Sequence, residues 1–448
     1  MQGGRSESSV LGRWEWVMGT KLKADDESSG YESELEVSDS LSLGEKLDTL
    51  VHTLRTVFAV LISLPVSWIC MHPSIGAFRL HKFEMVRSGT ATVLALQSKL
   101  RHPVLDVYFG ILSFCAEEEF YLLVLPYLIW NVDRILGCRL TVIVSVGLFA
   151  GNTLKDIFGL PRPPHPPVWR PAHQEAIDST NLQDFGFPST HSMNAVTNSL
   201  VVLLYYCNSI SHESIVGLVA VCIWYIGSMC ISRMYLGAHS PTDIRGGLAL
   251  GFLLVAVYAP NIERVEVFYN ETPMIFPKVF CLTFFLLLMC PQPRPPTPTF
   301  NQNALLLGLV GGLIFGSRQF HALTLAEAIE WRSYLRLGDA SEFATSHFYL
   351  NTVVKTVSGY SIVMIFRVIA KTAIVALLNV FGVSTKPRVV DESTRTTRRS
   401  KIKVVRLLTR DVDILGTAIV KVFTYMTLAW AITFFVPFVH IILGLSSI

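Results

Sequence analysis

The chain has few charged residues for its length. Of its 448 residues, 16% are charged and 51% are hydrophobic, with a mean hydropathy of +0.46. Soluble domains average about 25% charged residues, so an ordinary soluble domain is excluded. Runs of about 20 apolar residues cross a bilayer core about 30 Å thick, and the sequence predicts an all-α, polytopic transmembrane helical bundle of about eight to ten spans. The runs begin near Thr56, Val104, Leu140, His191, Ile215, Ile244, Pro277, Ala304, Thr352 and Ile414.

Cysteine pairs and a signal peptide are also missing from the sequence. The eight cysteines lie in or beside apolar runs, and none forms a CxxC pair, which disfavours a disulfide framework or a zinc site. We therefore expect buried, inert thiols. The N-terminus opens with polar and charged residues and has no apolar core before a small-residue cleavage site. We expect the run near Thr56 to act as the insertion signal.

Charge is unevenly distributed along the chain, although its net value is only +3. Acidic residues cluster at positions 25–48, so we expect residues 1–50 to form a disordered acidic tail and residues 51–448 to form one transmembrane domain. Basic residues cluster at positions 386–410, in a solvated loop or a contact for anionic lipid headgroups. Neither cluster has the aromatic or glycine pattern of a nucleic-acid-binding segment.

A first polar motif, residues 155–163, follows the apolar run from Leu140. We expect Lys155 on the last helical turn and Arg162 on a loop that folds back over it, because Pro161 ends the helix. Arginine binds two oxygens of a phosphate with its planar fork, whereas lysine acts as a mobile point charge. For a single base at the end of a span, snorkelling to the headgroups is the simpler explanation.

The second motif, residues 188–191, opens the next apolar run with Pro-Ser-Thr-His. The unpaired N–H groups at a helix start favour anions, and Ser189 is suited to cap the helix or to bind phosphate. His191 lies at the rim of that site, where an imidazole with an ordinary pKa of about 6.5 can donate a proton near neutral pH. Taken alone, a hydrogen-bonded interfacial histidine explains this motif more simply.

The third motif contains Arg233, His239 and Asp243. On one helix, residues four apart share a face, so the carboxylate would accept a hydrogen bond from one ring nitrogen and leave the other free as a nucleophile. Gly237 and Pro241 argue against an unbroken helix, but we expect the transition from loop to span to keep the pair close. Arg233 is expected to close the last turn of the preceding span.

The three motifs lie at the same membrane face, because successive spans alternate in direction. A phosphate monoester carries close to two negative charges, so a site for it must gather positive charge and hydrogen-bond donors around the phosphate oxygens. The motifs supply these groups, since they contain one lysine, two arginines, one serine, two histidines and one aspartate. The sequence therefore predicts a site at one membrane surface that breaks a phosphate ester, with no metal or other cofactor expected.

The motifs KxxxxxxRP, PSxH and SRxxxxxHxxxD resemble the three-part signature of the type 2 phosphatidic acid phosphatase superfamily. The resemblance covers roughly residues 100–448, and Thr190 stands where many members have glycine. That threonine, the context of the first two motifs and residues 432–437 resemble the sphingosine-1-phosphate phosphatases in particular. The resemblance implies a phosphatase core within the helical bundle.

The resemblance also implies an activity, which is metal-independent dephosphorylation of sphingosine 1-phosphate and related sphingoid-base phosphates. His239 would be phosphorylated, Asp243 would orient it, and His191 would protonate the leaving oxygen and then activate water. The phosphate-binding residues implied are Lys155, Arg162, Ser189, Thr190 and Arg233. The family further implies a multi-pass protein of the endoplasmic reticulum membrane with a lumenal active site, a lipid substrate and surrounding membrane lipid.

Three consecutive acids, Glu117, Glu118 and Glu119, lie within the apolar run from Val104. Charged residues inside a span are candidates for function, and on a helix at most two of these side chains point inward. One is a candidate contact for the ammonium of a sphingoid base. Pairing with Arg367 or Lys371 of a later span explains the acids equally well.

Two alternative functions remain open from the sequence. The same chemistry could act on lysophosphatidate, an isoprenoid pyrophosphate or a sugar phosphate. An anion carrier on the same fold is the more distant alternative, because a carrier has no need of the His239 and Asp243 pair beside a second histidine. The inverted repeats of many carriers are not evident in the sequence either. The sequence makes no prediction of oligomeric state.

Overall fold

The computed structural model describes residues 73–171, 185–290, 299–323, 330, 348–380 and 403–445. Within these ranges all regular secondary structure is helical, which confirms the all-α prediction. The described residues contain six helices that are long and apolar enough to cross a membrane, so the predicted count of eight to ten spans is not confirmed. These are Arg134–Phe158, His212–Tyr235, Pro241–Glu271, Thr299–Ala322, Phe348–Val380 and Gly416–Ile442.

The first half of the described chain contains the helices that carry the motifs. In chain order they are α1 (Pro73–Leu100), α2 (Pro103–Phe114), α3 (Glu118–Asn131), α4 (Arg134–Phe158), α5 (Thr190–Tyr206), α6 (His212–Tyr235) and α7 (Pro241–Tyr258). The second half contributes α8 (Ile262–Glu271), α9 (Ile275–Leu288), α10 (Thr299–Ala322), α11 (Phe348–Val380), α12 (Lys403–Trp430), a π-helical turn (Ala431–Phe435) and α13 (Val436–Ile442).

The apolar run from Val104 forms two helices, although its length and composition predict one span. These are α2 and α3, of 12 and 14 residues, separated at positions 115–117. The break is physically reasonable because Glu118 and Glu119 then occupy the first turn of α3, where negative charge interacts favourably with the helix dipole. The side chain of Glu117 is thereby released from a helix interior and can face α5.

Two other runs also bear on the span count. Helix α9 has 14 residues and is about 21 Å long, which is short of a bilayer core about 30 Å thick. The run near Thr56 lies outside the described residues, as do the acidic tail and residues 386–402, so the predictions made for these segments stay predictions.

Helices α5 and α7 pack with their backbones in contact, which positions the functional site. A Cβ added to Gly247 on α7 would lie 2.2 Å from the carbonyl oxygen of Ser189, and one added to Gly251 would lie 2.9 Å from that of Met193. Small residues allow such close approach between helices in membranes. The close packing holds the N-terminal ends of α5 and α7, which carry the second and third motifs, side by side.

Helix α10 packs in the same way against α12, in the second half of the bundle. A Cβ on Gly308 would lie 2.4 Å from the carbonyl oxygen of Val422, and one on Gly312 would lie 2.0 Å from that of Met426. The described cysteines are unbridged, and Cys138, Cys222 and Cys290 are buried as expected, whereas Cys281 is exposed and the other three are half-buried.

Candidate active site

The first motif lies where α4 ends. Gly159 caps the helix in the left-handed conformation, with φ of 58°, and its N–H donates to the carbonyl oxygen of Lys155 at 2.8 Å. Lys155 is therefore buried on the last turn, as predicted. The returning chain pairs with this segment through a hydrogen bond from Gly186 N–H to the Leu160 carbonyl at 2.8 Å. Arg162 thus lies on a loop beside the end of α4.

The second motif begins α5. Ser189 is fully buried and caps the helix, because its hydroxyl oxygen accepts a hydrogen bond from Ser192 N–H at 3.4 Å. Its own N–H donates to the backbone carbonyl of Asp243 at 3.0 Å, which ties the second motif to the third. The methyl group of Thr190 faces α4, since a Cβ on Gly151 would lie 2.7 Å from Thr190 Cγ2.

The third motif begins at the end of α6 with Arg233, whose side chain is 1% exposed. The Arg233 guanidinium donates to the hydroxyl of Ser113 on α2. The backbone carbonyl oxygen of Arg233 accepts hydrogen bonds from the N–H groups of Ala238 at 3.0 Å and His239 at 3.2 Å. The turn requires Gly237, whose φ is 70°. These bonds fix the backbone of His239 against the last turn of α6.

The pair formed by His239 and Asp243 comes together across a loop, not along one helix. The distance from His239 Nδ1 to Asp243 Oδ2 is 3.8 Å, and both side chains are buried. A capping box at the start of α7 holds the carboxylate, because Oδ2 accepts from Ser240 N–H at 2.7 Å and the Ser240 hydroxyl accepts from Asp243 N–H at 3.3 Å. Within the described residues, His239 Nδ1 and Asp243 Oδ1 have no hydrogen bond.

Positive charge surrounds His239. Burial lowers the pKa of its imidazole well below the ordinary value. The charges of Arg162, Arg233 and Lys155 lower that pKa further. His239 is therefore neutral near pH 7, with an unprotonated ring nitrogen next to three cations. This is the state that a nucleophile for a bound anion needs.

Two buried residues that the sequence analysis did not identify hold the site's loops in place. Gln97 on α1 donates to the carbonyl oxygens of Trp169 at 2.9 Å and Tyr235 at 2.8 Å, and its side-chain oxygen accepts from Trp169 N–H at 3.1 Å. Arg170 donates to the carbonyls of Gly237 at 3.2 Å and Pro163 at 2.7 Å. Neither residue belongs to one of the three motifs, so no local pattern identified them.

The three acids of the broken run have different surroundings. Glu117 Oε1 lies 3.2 Å from His191 Nε2. Glu118 lies at one end of an apolar cleft between α3, α4, α10 and α12, and Glu119 is exposed. In the part of the chain that the structure describes, no ion pair joins these acids to Arg367 or Lys371. The alternative of pairing with the later span is therefore wrong for this structure.

All the predicted motif residues meet at one end of the bundle, where α4 and α6 end and α5 and α7 begin. This confirms the prediction that the three motifs share one face. Among the residues that the structure covers, no group of three or more His, Cys, Asp or Glu side chains is arranged to hold a metal ion. The arrangement gathers cations and helix N-termini around two histidines, which is suited to binding and transferring a phosphoryl group.

Known proteins resemble the chain over this region. A lipid phosphate phosphatase delta of Arabidopsis thaliana is 30% identical over 57% of this chain and 64% of its own length. A dihydrosphingosine 1-phosphate phosphatase of Schizosaccharomyces pombe is 28% identical over 66% of this chain and 69% of its own length. Sphingosine-1-phosphate phosphatase 2 of Mus musculus is 26% identical over 75% of this chain and 88% of its own length. No solved structure matches the chain.

A family model also matches the segment that holds the site. Residues 136–265 fit the PAP2 superfamily, and this match contains all three motifs. Its boundaries correspond to α4 through α7 with the start of α8, which are the helices whose ends build the site. The segment that builds the site is therefore similar to the PAP2 superfamily.

Proposed function

We propose that this protein is a phosphoric monoester hydrolase that dephosphorylates sphingosine 1-phosphate and related sphingoid-base phosphates through a phosphohistidine intermediate. The observation that carries the proposal is the setting of His239, a buried, neutral imidazole beside Asp243 and three cations. The substrate class is supported by the relatives named for lipid phosphates and sphingoid-base phosphates, two of which act by name on the latter.

In the first step, the cations and the start of α5 bind the phosphoryl oxygens. Nε2 of His239 attacks phosphorus while Asp243 holds the proton on Nδ1, which keeps the lone pair on the attacking nitrogen. The bond between phosphorus and the lipid oxygen breaks. His191 donates a proton to that oxygen, and the sphingoid base leaves as the free alcohol. Glu117, 3.2 Å from His191, stabilises the protonated imidazole that this step requires.

In the second step, His191 accepts a proton from a water molecule, which then attacks phosphorus. The bond between phosphorus and His239 breaks, inorganic phosphate leaves, and the neutral imidazole is restored. The roles of Lys155, Arg162, Ser189 and Arg233 are those of phosphate ligands. Thr190 contributes its backbone N–H at the start of α5, because its methyl group is packed against Gly151.

The proposal includes a location, carried over from the family resemblance. The protein would lie in the endoplasmic reticulum membrane as a multi-pass protein, with the catalytic end of the bundle at the lumenal surface. The six described helices that are long enough to cross a membrane support membrane insertion. Protease protection of a tag inserted between positions 172 and 184, in sealed microsomes, tests the lumenal orientation.

Purified protein in detergent with a chelator tests the activity. We expect inorganic phosphate to be released from sphingosine 1-phosphate faster than from lysophosphatidate or phosphatidate, and a phosphoenzyme to be trapped when labelled substrate is quenched. The phosphohistidine bond should be labile in acid and stable in base. Release only from the glycerolipid phosphates would replace the proposed substrate class, and no release from any of them would remove the enzymatic proposal.

A further inference from the structure

The chemistry of a sphingoid-base phosphate places its charged groups close together. The amine is on the carbon next to the one that bears the leaving oxygen, so the group that binds the ammonium must be a neighbour of the group that protonates the oxygen. In the proposed mechanism the proton donor is His191. Its acidic neighbour is Glu117, with Oε1 at 3.2 Å from His191 Nε2.

The position of Glu117 leaves its carboxylate available to a ligand. It precedes the first turn of α3 at the break between α2 and α3, and its side chain makes no capping hydrogen bond to the helix. The side chain is 44% exposed, whereas that of Asp243 is fully buried. A carboxylate has about four acceptor positions, and His191 uses one of them. Glu117 can therefore bind a cation and His191 together.

A second observation points to a ligand at the same place. Asn194 lies one turn after His191 on α5 and is fully buried, yet its side-chain oxygen has no hydrogen bond within the described residues. An unpaired buried acceptor is costly, and such groups are rare unless a ligand or water completes them. The nitrogen of the same amide interacts with the hydroxyl of Tyr121, which lies one turn after Glu117 on α3. The unpaired oxygen is thus located between the two helix segments that carry His191 and Glu117.

The apolar cleft is lined by the residues that follow Glu117 on α3. Glu118 and Tyr121 contribute polar groups to it, and most of its walls are apolar side chains that include Leu122, Leu125 and Leu306. From the phosphate end of the site onward, a substrate would meet the cations, then His191, then Glu117 and last the apolar cleft. This order matches that of phosphate, leaving oxygen, ammonium and hydrocarbon chain in the substrate.

The geometry points to a headgroup subsite in which Glu117 binds the 2-ammonium of a sphingoid-base phosphate and Asn194 binds its 3-hydroxyl. This inference rests on the proposed function, since it concerns the substrate of the same site. The subsite makes the enzyme selective for amino-alcohol phosphates, because a phosphate ester without the ammonium leaves the Glu117 carboxylate without a cation.

Three substrates with the same hydrocarbon chain test the subsite in the purified full-length protein. Sphinganine 1-phosphate has both groups, 3-deoxysphinganine 1-phosphate lacks the hydroxyl, and octadecyl phosphate lacks both. We expect wild-type kcat/KM to be at least about tenfold higher for sphinganine 1-phosphate than for octadecyl phosphate, as for one charge-assisted hydrogen bond. Glu117→Gln should lower this ratio at least about tenfold. Glu119→Gln, the matched control at an exposed position of the same tripeptide, should leave it unchanged.

A monodisperse chromatographic peak of purified Glu117→Gln in detergent reports whether the variant is folded. If kcat/KM falls by the same factor on both substrates, Glu117 acts only on His191 and the ammonium site is overturned. The ammonium site is also overturned if the variant keeps the wild-type ratio, or if the wild type does not prefer sphinganine 1-phosphate. Asn194→Ala should remove the preference for sphinganine 1-phosphate over its 3-deoxy analogue, and an equal loss on both would overturn the hydroxyl contact. In all these cases the wild type still releases phosphate, whereas failure to hydrolyse sphinganine 1-phosphate at all would refute the proposed function itself.

Discussion

The Asp243→Asn variant separates two roles of one carboxylate. In the structure Asp243 accepts a hydrogen bond from Ser240 N–H at 2.7 Å and lies 3.8 Å from Nδ1 of His239. The first contact stabilises the start of α7, and the second is available to orient the nucleophile. The asparagine keeps the size of the side chain but loses its charge, and its amide can turn a donor toward Nδ1. The imidazole is then held with the wrong nitrogen protonated.

The expected magnitudes of the two effects differ widely. Weakening the helix cap costs about 0.5–2 kcal/mol of stability, as for other N-terminal caps. Loss of the correct tautomer lowers kcat by about 10³–10⁴-fold, the range seen when an orienting aspartate is replaced in a hydrolase triad, which corresponds to about 4–5.5 kcal/mol of activation free energy. The catalytic loss therefore greatly exceeds any effect of a weaker cap.

Ser240→Ala is the matched control, because it removes the other half of the capping box and keeps the carboxylate. We expect a similar loss of thermal stability for both variants in detergent, measured by loss of the monodisperse chromatographic peak after heating. Phosphate release at saturating sphingosine 1-phosphate should fall less than about tenfold in Ser240→Ala. If the two variants lose the same factor in kcat, Asp243 serves only as a cap and the orienting role is wrong.

Three further predictions concern the histidines. His239→Ala should abolish turnover and phosphoenzyme labelling, since it removes the atom that forms the covalent bond; more than a few per cent of residual activity at saturating substrate contradicts the role. His191→Ala should be partly rescued by nitrophenyl phosphate, whose leaving group needs no proton, and equal defects on both substrates would rule out the acid role. Because the folded-state pKa of His239 lies well below that of the unfolded chain, the unfolded state binds more protons below about pH 6.5, so thermal stability should fall as pH decreases through that value. His239→Gln should flatten this pH dependence, and an unchanged slope would mean that His239 is protonated in the folded protein.

Local sequence patterns were sufficient to predict the helix ends that carry the motifs. Lys155 lies on the last turn of α4 because Gly159 and Pro161 end that helix, and Ser189 caps α5 as its residue type favours. Each of these features depends on residues close in the chain. The common face of the motifs followed from the alternation of spans, which is a property of the bilayer and not of side-chain packing.

Features that depend on tertiary contacts were not predictable in this way. The run from Val104 is apolar enough for one span, but it breaks before α3 and brings Glu117 to His191. The hydrogen bonds of Gln97 join segments more than 70 positions apart, and nothing in the neighbouring sequence identifies that glutamine. The loop that keeps His239 near Asp243 was expected from Gly237 and Pro241, but the capping box that holds the carboxylate was not.

The two pairs of histidine and carboxylate in the site differ in exposure, and the difference suits their proposed roles. Asp243 is fully buried and fixed by a capping box, so it can hold one ring nitrogen of His239 throughout the reaction without meeting substrate. The Glu117 side chain is 44% exposed and lies at the start of a helix next to an apolar cleft. It can therefore accept an arriving ammonium while it keeps its contact with His191, since a carboxylate has several acceptor positions. Because the two cations would share one carboxylate, the state of His191 would depend on the headgroup beside it, which couples substrate selection to proton transfer at a single residue.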